Sequence, residues 1–522
     1  MGLINKIVSA FVICALLVYN ECGSGARILA TVSTPSFSHQ VAFRQIWKEL
    51  AKRGHDVVLI TTDPMTEEIT NLRQIDASSS YGEMKSADLN AMIANNTFAN
   101  PIELVKHFVS GLIKVNYHQF QLPEVQALIQ NKSEMFDLLM TEVTFPGHLG
   151  FMERFDVPVI GLFSLDAPHM VYHLMGSESH PVLQPESYIV PVSYPLNLWQ
   201  RIVNSIVRIL VDVHSRLVVK PKLNEMIRFI FGENARSIDD LFLELDMLFV
   251  NTNPVFHHIR ALTPNTISFG GGSHVESTQK QLPKELLEFL ENAPNGVVYF
   301  SLGSNVKSNS LNDDLKKVFM ETFAELPYKV LWKFESGHLL NKSDNVMIQK
   351  WVPQNDVLKH PNVKLFVTQC GLQSIEEAIM NHVPLVGLPF FADQPANGNV
   401  LQKKSLGITL DYKTVTKEVF KETIIEVMTN PKYRKSVREI ADFLRDVELT
   451  GIEKVIWWTE YVIRNKGAKI FKNPIRDLPF YQYYLLDVIA FIIVVTTLFM
   501  LICKKIISLV VTKMYHKKLK IY

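Results

Sequence analysis

The stretch from Leu485 to Cys503 constrains this chain most, because it is apolar throughout except for Asp487, Thr496 and Thr497. A run of that length crosses a bilayer as a helix with little tilt, since a helix satisfies its own backbone polar groups in lipid. Tyr481, Tyr483 and Tyr484 precede it as an interfacial belt would, and Lys504, Lys505, Lys513, Lys517, Lys518 and Lys520 follow it. Basic flanks stay cytosolic, so the expected topology is single-pass type I, with a luminal body, a spanning helix over 485–503 and a cytosolic tail over 504–522. The lipid bilayer is therefore an expected partner.

The other end agrees with that topology. Lys6 precedes the apolar run Ile7 to Tyr19, and small residues follow at Gly23, Ser24 and Gly25. The run is too short to span and reads as a secretory signal over 1–25, the alternative being a buried N-terminal helix. Three sequons, at Asn95, Asn131 and Asn341, fall on the luminal side and are candidate glycosylation sites. Of the four cysteines, Cys14 and Cys22 belong to the signal or its edge and Cys503 to the membrane boundary. Cys370 stands alone, so no disulfide framework holds the body, which must rest on its cores. A net charge of +1 carries no basic stripe and argues against a nucleic-acid partner.

A body of this length calls for two domains. Arg27–Ser33 reads as a buried strand, His39–Arg53 as an apolar-periodic helix ending at Gly54, and Val57–Thr61 as a second strand. Phe136–Glu142 and Val157–Leu162 are further runs of strand length. After Gly270-Gly271-Gly272 the alternation restarts, with strand candidates at Val297–Phe300, Lys329–Lys333, Val346–Lys350, Lys364–Thr368 and Leu385–Leu388. Strands alternating with helices specify an α/β fold of parallel sheets covered on both faces, with ligands beyond the carboxyl ends of the strands. The expected segments are an N-terminal domain over 26–265, a linker over 266–295, a C-terminal domain over 296–445 and further helices over 446–480. His180 to Pro195 carries four prolines and is not regular helix, whereas Leu198 to Leu210 is an amphipathic helix. Its apolar stripe suits either ordinary core packing, the favoured reading, or a membrane surface.

Three loops carry the chemistry. Trp351 follows a strand and is succeeded by Pro353, which presents a flat indole able to stack on a nucleobase. Gln369-Cys370-Gly371-Leu372-Gln373-Ser374 leads from a strand into a helix, whose unpaired N–H groups and positive end suit a diphosphate. Asp393 and Gln394 follow another strand and can hold sugar hydroxyls. Ser374 and Glu377 also fit a capping box, so Glu377 either caps the helix or binds a ligand. His39 lies where the first strand's loop enters a helix, and imidazole titrates near neutral pH. The His257-His258 pair lacks the acidic or cysteine spacing of a metal site.

In these loops the chain resembles the UDP-glycosyltransferase family. Trp351 to Gln394 is similar to its signature of about 44 residues. The likeness runs from Thr34-Pro35-Ser36-Phe37-Ser38-His39-Gln40 through Ser301-Leu302-Gly303-Ser304 to Trp457-Trp458-Thr459-Glu460-Tyr461. Ser38-His39-Gln40 and Thr368-Gln369-Cys370-Gly371-Leu372-Gln373-Ser374 look like the insect branch, and Lys518-Leu519-Lys520-Ile521-Tyr522 resembles lysine-based endoplasmic reticulum retrieval tails. The resemblance implies two facing Rossmann-like domains of GT-B type, the first for a small lipophilic acceptor and the second for a UDP-sugar. It implies Trp351 stacked on uracil, Gln354 orienting the nucleoside and Glu377 on the ribose. Ser304, Gln369 and the Gly371 amide would meet phosphates, with Gln373 and Ser374 nearby, and Asp393 and Gln394 the sugar. It also implies that His39 is the base and that Glu142 stands where the family has an aspartate partner, with Asp137 as the fallback.

The expected reaction is single-displacement transfer with inversion, with UDP-sugar as co-substrate and no cofactor or metal. The departures are Gln369 for a histidine, Cys370 for a glycine, and no prolines over Arg445 to Glu453. A non-catalytic lipophile- or nucleotide-binding protein is the alternative. A nicotinamide enzyme lacks G-x-G-x-x-G after the first strand, and a serine hydrolase lacks G-x-S-x-G. The residues leave open the acceptor, the choice of glucose over glucuronate or galactose, and whether the chain forms a homo-oligomer.

Overall fold

A computed structural model describes residues 25–84, 101–178, 180, 185, 195–257, 259–278 and 280–519. The signal, the Asn95 sequon, most of the proline-rich stretch, His258 and Lys520 lie outside the described residues. Seven parallel strands form the first sheet: β1 (Arg27–Val32), β2 (Asp56–Thr61), β3 (Leu72–Asp76), β4 (Leu138–Glu142), β5 (Val159–Phe163), β6 (Met247–Val250) and β7 (Thr266–Ser268). Their order is β3-β2-β1-β4-β5-β6-β7. The second sheet has β8 (Val297–Ser301), β9 (Lys329–Lys333), β10 (Val346–Gln349), β11 (Val363–Thr368), β12 (Leu385–Gly387) and β13 (Gly407–Thr409), in the order β10-β9-β8-β11-β12-β13. Every residue of β4, β5, β6 and β8 is buried, consistent with helices covering both faces; β6, Met247–Val250, is not among the strands expected from the sequence. Each sheet reverses its winding once, between β1 and β4 and between β8 and β11. Open parallel sheets place ligands at such a reversal, beyond the strands' carboxyl ends.

Six helices matter below: α1 (Phe37–Lys52), α2 (Leu198–His214), α3 (Leu372–Met380), α4 (Gln394–Lys403), α5 (Gly451–Arg464) and α6 (Leu486–Leu519). Helix α1 buries Phe43, Ile46, Trp47 and Leu50, the spacing of one helical face, and stops at Gly54, whose φ of 92° a side chain would resist. Helix α5 begins at a capping box in which the Thr450 hydroxyl accepts from the Glu453 amide and the Glu453 carboxylate accepts from the Thr450 amide. It inserts Val455, Ile456 and Val462 into the core that α1 shares with the first sheet. No prolines are needed for that packing.

Three expectations change. The linker begins later than residue 266, because Thr266–Ser268 pairs with β6 as the edge strand of the first sheet. Lys284–Glu291, inside the same stretch, is a helix whose Leu286 and Leu290 join the second lobe's core. Helix α2 does not bury its apolar stripe: Asn204 and Arg208 face inward while Trp199, Ile206 and Leu210 are exposed. The apolar C-terminal helix does not stop at Cys503 but continues through the lysines to Leu519.

Candidate active site

The first reversal point gathers His39 and Glu142. Strands β1 and β4 are neighbours, with Thr31 opposite Thr141, so the residues just beyond them converge. His39 lies in the first turn of α1 and Glu142 is the last residue of β4. The Thr34 amide donates to Glu142 Oε2 at 2.9 Å, strapping the β1 loop to the strand end. Glu142 Oε1 lies 2.7 Å from His39 Nδ1, and Ser164 Oγ lies 2.6 Å from the same nitrogen. Burial pushes the Glu142 carboxyl up, but the charge and hydrogen bond of His39 and the bonds from Thr34 outweigh it and hold the group below the usual carboxylate range. With Nδ1 committed to a buried carboxylate, Nε2 is the nitrogen left for the cleft that His39 lines. Asp137 cannot substitute as partner: it sits just before the opposite end of β4, where its Oδ2 accepts from the Arg27 amide.

The second reversal point gathers the other group. After β8 the chain turns through Gly303, at φ 75°, to Ser304. A Cβ on Gly303 would stand 2.4 Å from Gln369 Nε2 and would strain the backbone at this φ, so a side chain there would displace the Gln369 amide. After β11, Cys370 takes a φ of 67°, a left-handed value that glycine adopts with less strain than any side chain. Gly371 then caps α3, and a Cβ there would meet only Gln369 Nε2, at 3.6 Å. That leaves the helix's first N–H groups open to the cleft. Gln369 is buried, and its Oε1 has no partner among the described residues.

Trp351 is 56% exposed, with its ring edge against Phe37 at 4.9 Å between centroids and Lys333 Nζ 5.5 Å from its centroid. Such exposure suits a stacking face rather than a core residue. Gln354 accepts from the Tyr299 hydroxyl at 3.1 Å and donates to Ser374 Oγ at 3.0 Å and Glu377 Oε2 at 2.6 Å. Glu377 therefore does not cap α3: the helix starts at Leu372, which places Ser374 inside it. Burial pushes the Glu377 carboxyl up to about 7. Asp393 is pushed up to about 6, again chiefly by burial, while accepting from Asn397 at 2.6 Å. Gln394 Oε1 accepts from the Phe390 and Phe391 amides at 2.9 and 3.1 Å, a bond pair that shapes the loop after β12.

Both groups face one cleft of about 1060 Å³ lined by His39, Ser304, Trp351, Gln354, Gln369, Gly371, Gln373, Ser374, Glu377, Asp393 and Gln394. Gln373 is not spent on the cleft alone: its Nε2 donates to the Ser164 carbonyl at 2.9 Å, reaching from the second lobe to the residue that touches His39. The Ser36 hydroxyl likewise donates to Asn305 Oδ1 at 3.2 Å. Sequence reasoning missed Ser164, Tyr299 and Asn305, since no local pattern distinguishes them. Asn131 and Asn341 are exposed. His257 Nδ1 accepts from the Asn253 amide, and among the described residues no group of three or more His, Cys, Asp or Glu is placed to hold a metal.

Comparison with known proteins agrees with this geometry. The family model described as UDP-glucoronosyl and UDP-glucosyl transferase matches residues 27–521. The chain is 32% identical to an ecdysteroid UDP-glucosyltransferase of Mamestra brassicae nuclear polyhedrosis virus, covering 88% of this chain and 89% of that one. It is 30% identical to UDP-glucosyltransferase 2 of Dactylopius coccus, covering 93% of each. Among solved structures, the glycotransferase of kitacinnamycin shares the two-lobed GT-B fold at a TM-score of 0.56 and 17% identity, over 85% of this chain and 99% of that one. With two facing parallel sheets, a cleft between them and a family match across nearly the whole sequence, the chain belongs to the UDP-glucuronosyl and UDP-glucosyl transferase family and is a UDP-glycosyltransferase.

Proposed function

We propose that the enzyme transfers glucose, with inversion and without a metal, from UDP-glucose to a hydroxyl of a small lipophilic acceptor. The 2.7 Å contact between His39 Nδ1 and the buried, ionised Glu142 carries this reading. His39 Nε2 takes the acceptor's hydroxyl proton while that oxygen bonds to the anomeric carbon. The bond from that carbon to UDP breaks as UDP leaves with the electron pair, and Glu142 stabilises the imidazolium that forms. Charge growing on UDP meets the N-terminus of α3, Gln369 and Ser304. Trp351, Gln354, Ser374 and Glu377 hold the nucleoside, and Asp393 and Gln394 the sugar.

The cleft's first-lobe wall, with Phe145, Phe163, Met170, Leu223 and Phe242, favours an apolar acceptor. The names of the viral and Dactylopius relatives favour glucose. Helix α6 would anchor the body on the luminal side of the endoplasmic reticulum membrane, with Asn131 and Asn341 glycosylated. The test is His39→Ala together with product analysis. The variant should lose transfer while UDP still binds, and the wild type should form the β-linked glucoside. Wild-type turnover in the variant, an α-linked product, or faster transfer from UDP-glucuronate or UDP-galactose would each overturn the corresponding part.

A further inference from the structure

Helix α2 is inside out. Its buried residues are Asn204, fully so, and Arg208, while Trp199 is 71% exposed, Leu210 62% and Ile206 51%. Ile202, Ile209 and Val213 continue the same outward stripe over four turns, and Leu217 extends it beyond the helix end. A helix on a water-facing surface places such residues inward, and contiguous exposed apolar faces of this kind mark an interaction surface. The helix is not mis-registered by a weak start, because Asn197 and Gln200 form a reciprocal capping box at its N-terminus. The polar residues on its inner side are buried against the body; the apolar ones are left out.

We infer that the outward face of α2, from Trp199 to Leu217, seats in the headgroup–acyl boundary of a lipid bilayer. This rests on the reading of α6 as a membrane anchor, which supplies the bilayer. Three observations choose lipid over a protein partner. No unpaired carboxylate interrupts the stripe: the only acidic residue in α2, Asp212, keeps a 42% exposed side chain but is paired with His169 at 2.9 Å. Exposed Arg216, Lys222 and Arg228 follow the stripe and outnumber the one exposed carboxylate among them, Glu225, giving the net basic flank that anionic headgroups attract. Trp199 opens the stripe with the amphipathic ring that prefers the interface. The chain leaving this face also lines the acceptor half of the cleft through Ser215, Val219 and Leu223, so a bilayer-seated α2 brings that half beside the lipid in which apolar acceptors dissolve.

The test uses the full chain in phosphatidylcholine–phosphatidylserine vesicles, with and without acyl-brominated phosphatidylcholine, comparing wild type with Trp199→Phe. Trp199 is one of six tryptophans. Brominated lipid should therefore remove about one-sixth more of the tryptophan emission from the wild type than from the variant. Equal quenching in the two proteins, with UDP binding intact, would overturn the inference. Flotation of the same samples separates the two readings: failure to float would overturn the anchor and this inference together, whereas flotation with equal quenching would overturn the face and leave the anchor standing. An Ile206→Glu/Leu210→Glu variant should float normally and raise KM for apolar acceptors severalfold while leaving KM for a water-soluble phenol unchanged. A wild-type dimer in detergent that this variant dissociates, without Trp199 quenching, would instead make the face a self-association surface and overturn the lipid assignment.

Discussion

Replacing Glu142 with glutamine isolates the charge behind the proposed base. The side chain is fully buried, and both its oxygens are engaged, by His39 Nδ1 at 2.7 Å and by the Thr34 amide at 2.9 Å. Glutamine keeps the shape and one acceptor but removes the negative charge. When His39 becomes protonated during transfer, the imidazolium and carboxylate centres stand about 4 Å apart, and at an effective dielectric of about 20 their attraction is about 4 kcal/mol. Losing it from the transition state alone slows turnover about 10³-fold. The proposed nucleotide site lies on the other lobe and should not notice. The assay is UDP release at saturating UDP-glucose with a phenolic acceptor, alongside calorimetric Kd for UDP. A kcat within about tenfold of wild type, or a loss matched by weaker UDP binding, would refute the reasoning, since either outcome places the effect of Glu142 outside the charge on His39.

Trp351→Ala should weaken UDP binding by about 1–3 kcal/mol, the range for losing one stacked base, and calorimetry at fixed salt reads it directly. Because burial raises Glu377 to about 7, the free enzyme carries it protonated below that pH, and a carboxylate that is to accept ribose hydroxyls, as proposed, must first shed the proton. UDP affinity should therefore rise with pH up to about 7 and level off above, and Glu377→Gln should flatten the profile. Gln373→Ala removes the bond to the Ser164 carbonyl, worth about 1 kcal/mol, and should lower kcat by about fivefold with little change in UDP affinity. Equal kcat in Gln373→Ala and wild type would leave that cross-lobe contact without a part in turnover.

Much of this arrangement was legible from residue order. The buried strands announce themselves because burial on both faces needs unbroken apolar runs, and the loops that follow β1, β8 and β11 could be located by counting from those runs. What escaped detection was short or non-local. β6 escapes notice although all four of its residues are buried, and β7 and β13 have three residues each with polar members, unlike the equally short but apolar β12. β3, Leu72–Asp76, is largely polar because it lies at a sheet edge. The Ser374–Glu377 spacing suggested a cap, but the helix begins two residues earlier, and only the position of Gly371 decides that. Gln373 read as a phosphate neighbour, yet its amide is claimed by Ser164, a partner 209 residues away that no local pattern reveals. The stripe on α2 was visible as periodicity, whereas which side faces the body depends on where Asn204 and Arg208 find partners.

Helix α5 has a consequence for how such enzymes can be recombined. Its Val455, Ile456 and Val462 complete the core around α1 and the first sheet, although in chain order they follow the whole second sheet. A Cβ at Gly451 would meet the Phe269 carbonyl oxygen at 1.9 Å, so this return crossing has no slack. A hybrid joining one enzyme's first lobe to another's second therefore needs two splice points, one after β7 and one before Thr450, with the segment from Thr450 to Lys472 inherited from the donor of the first lobe. A single splice after β7 would graft a foreign helix onto that core and expose the mismatch as insolubility before any change of substrate could be observed.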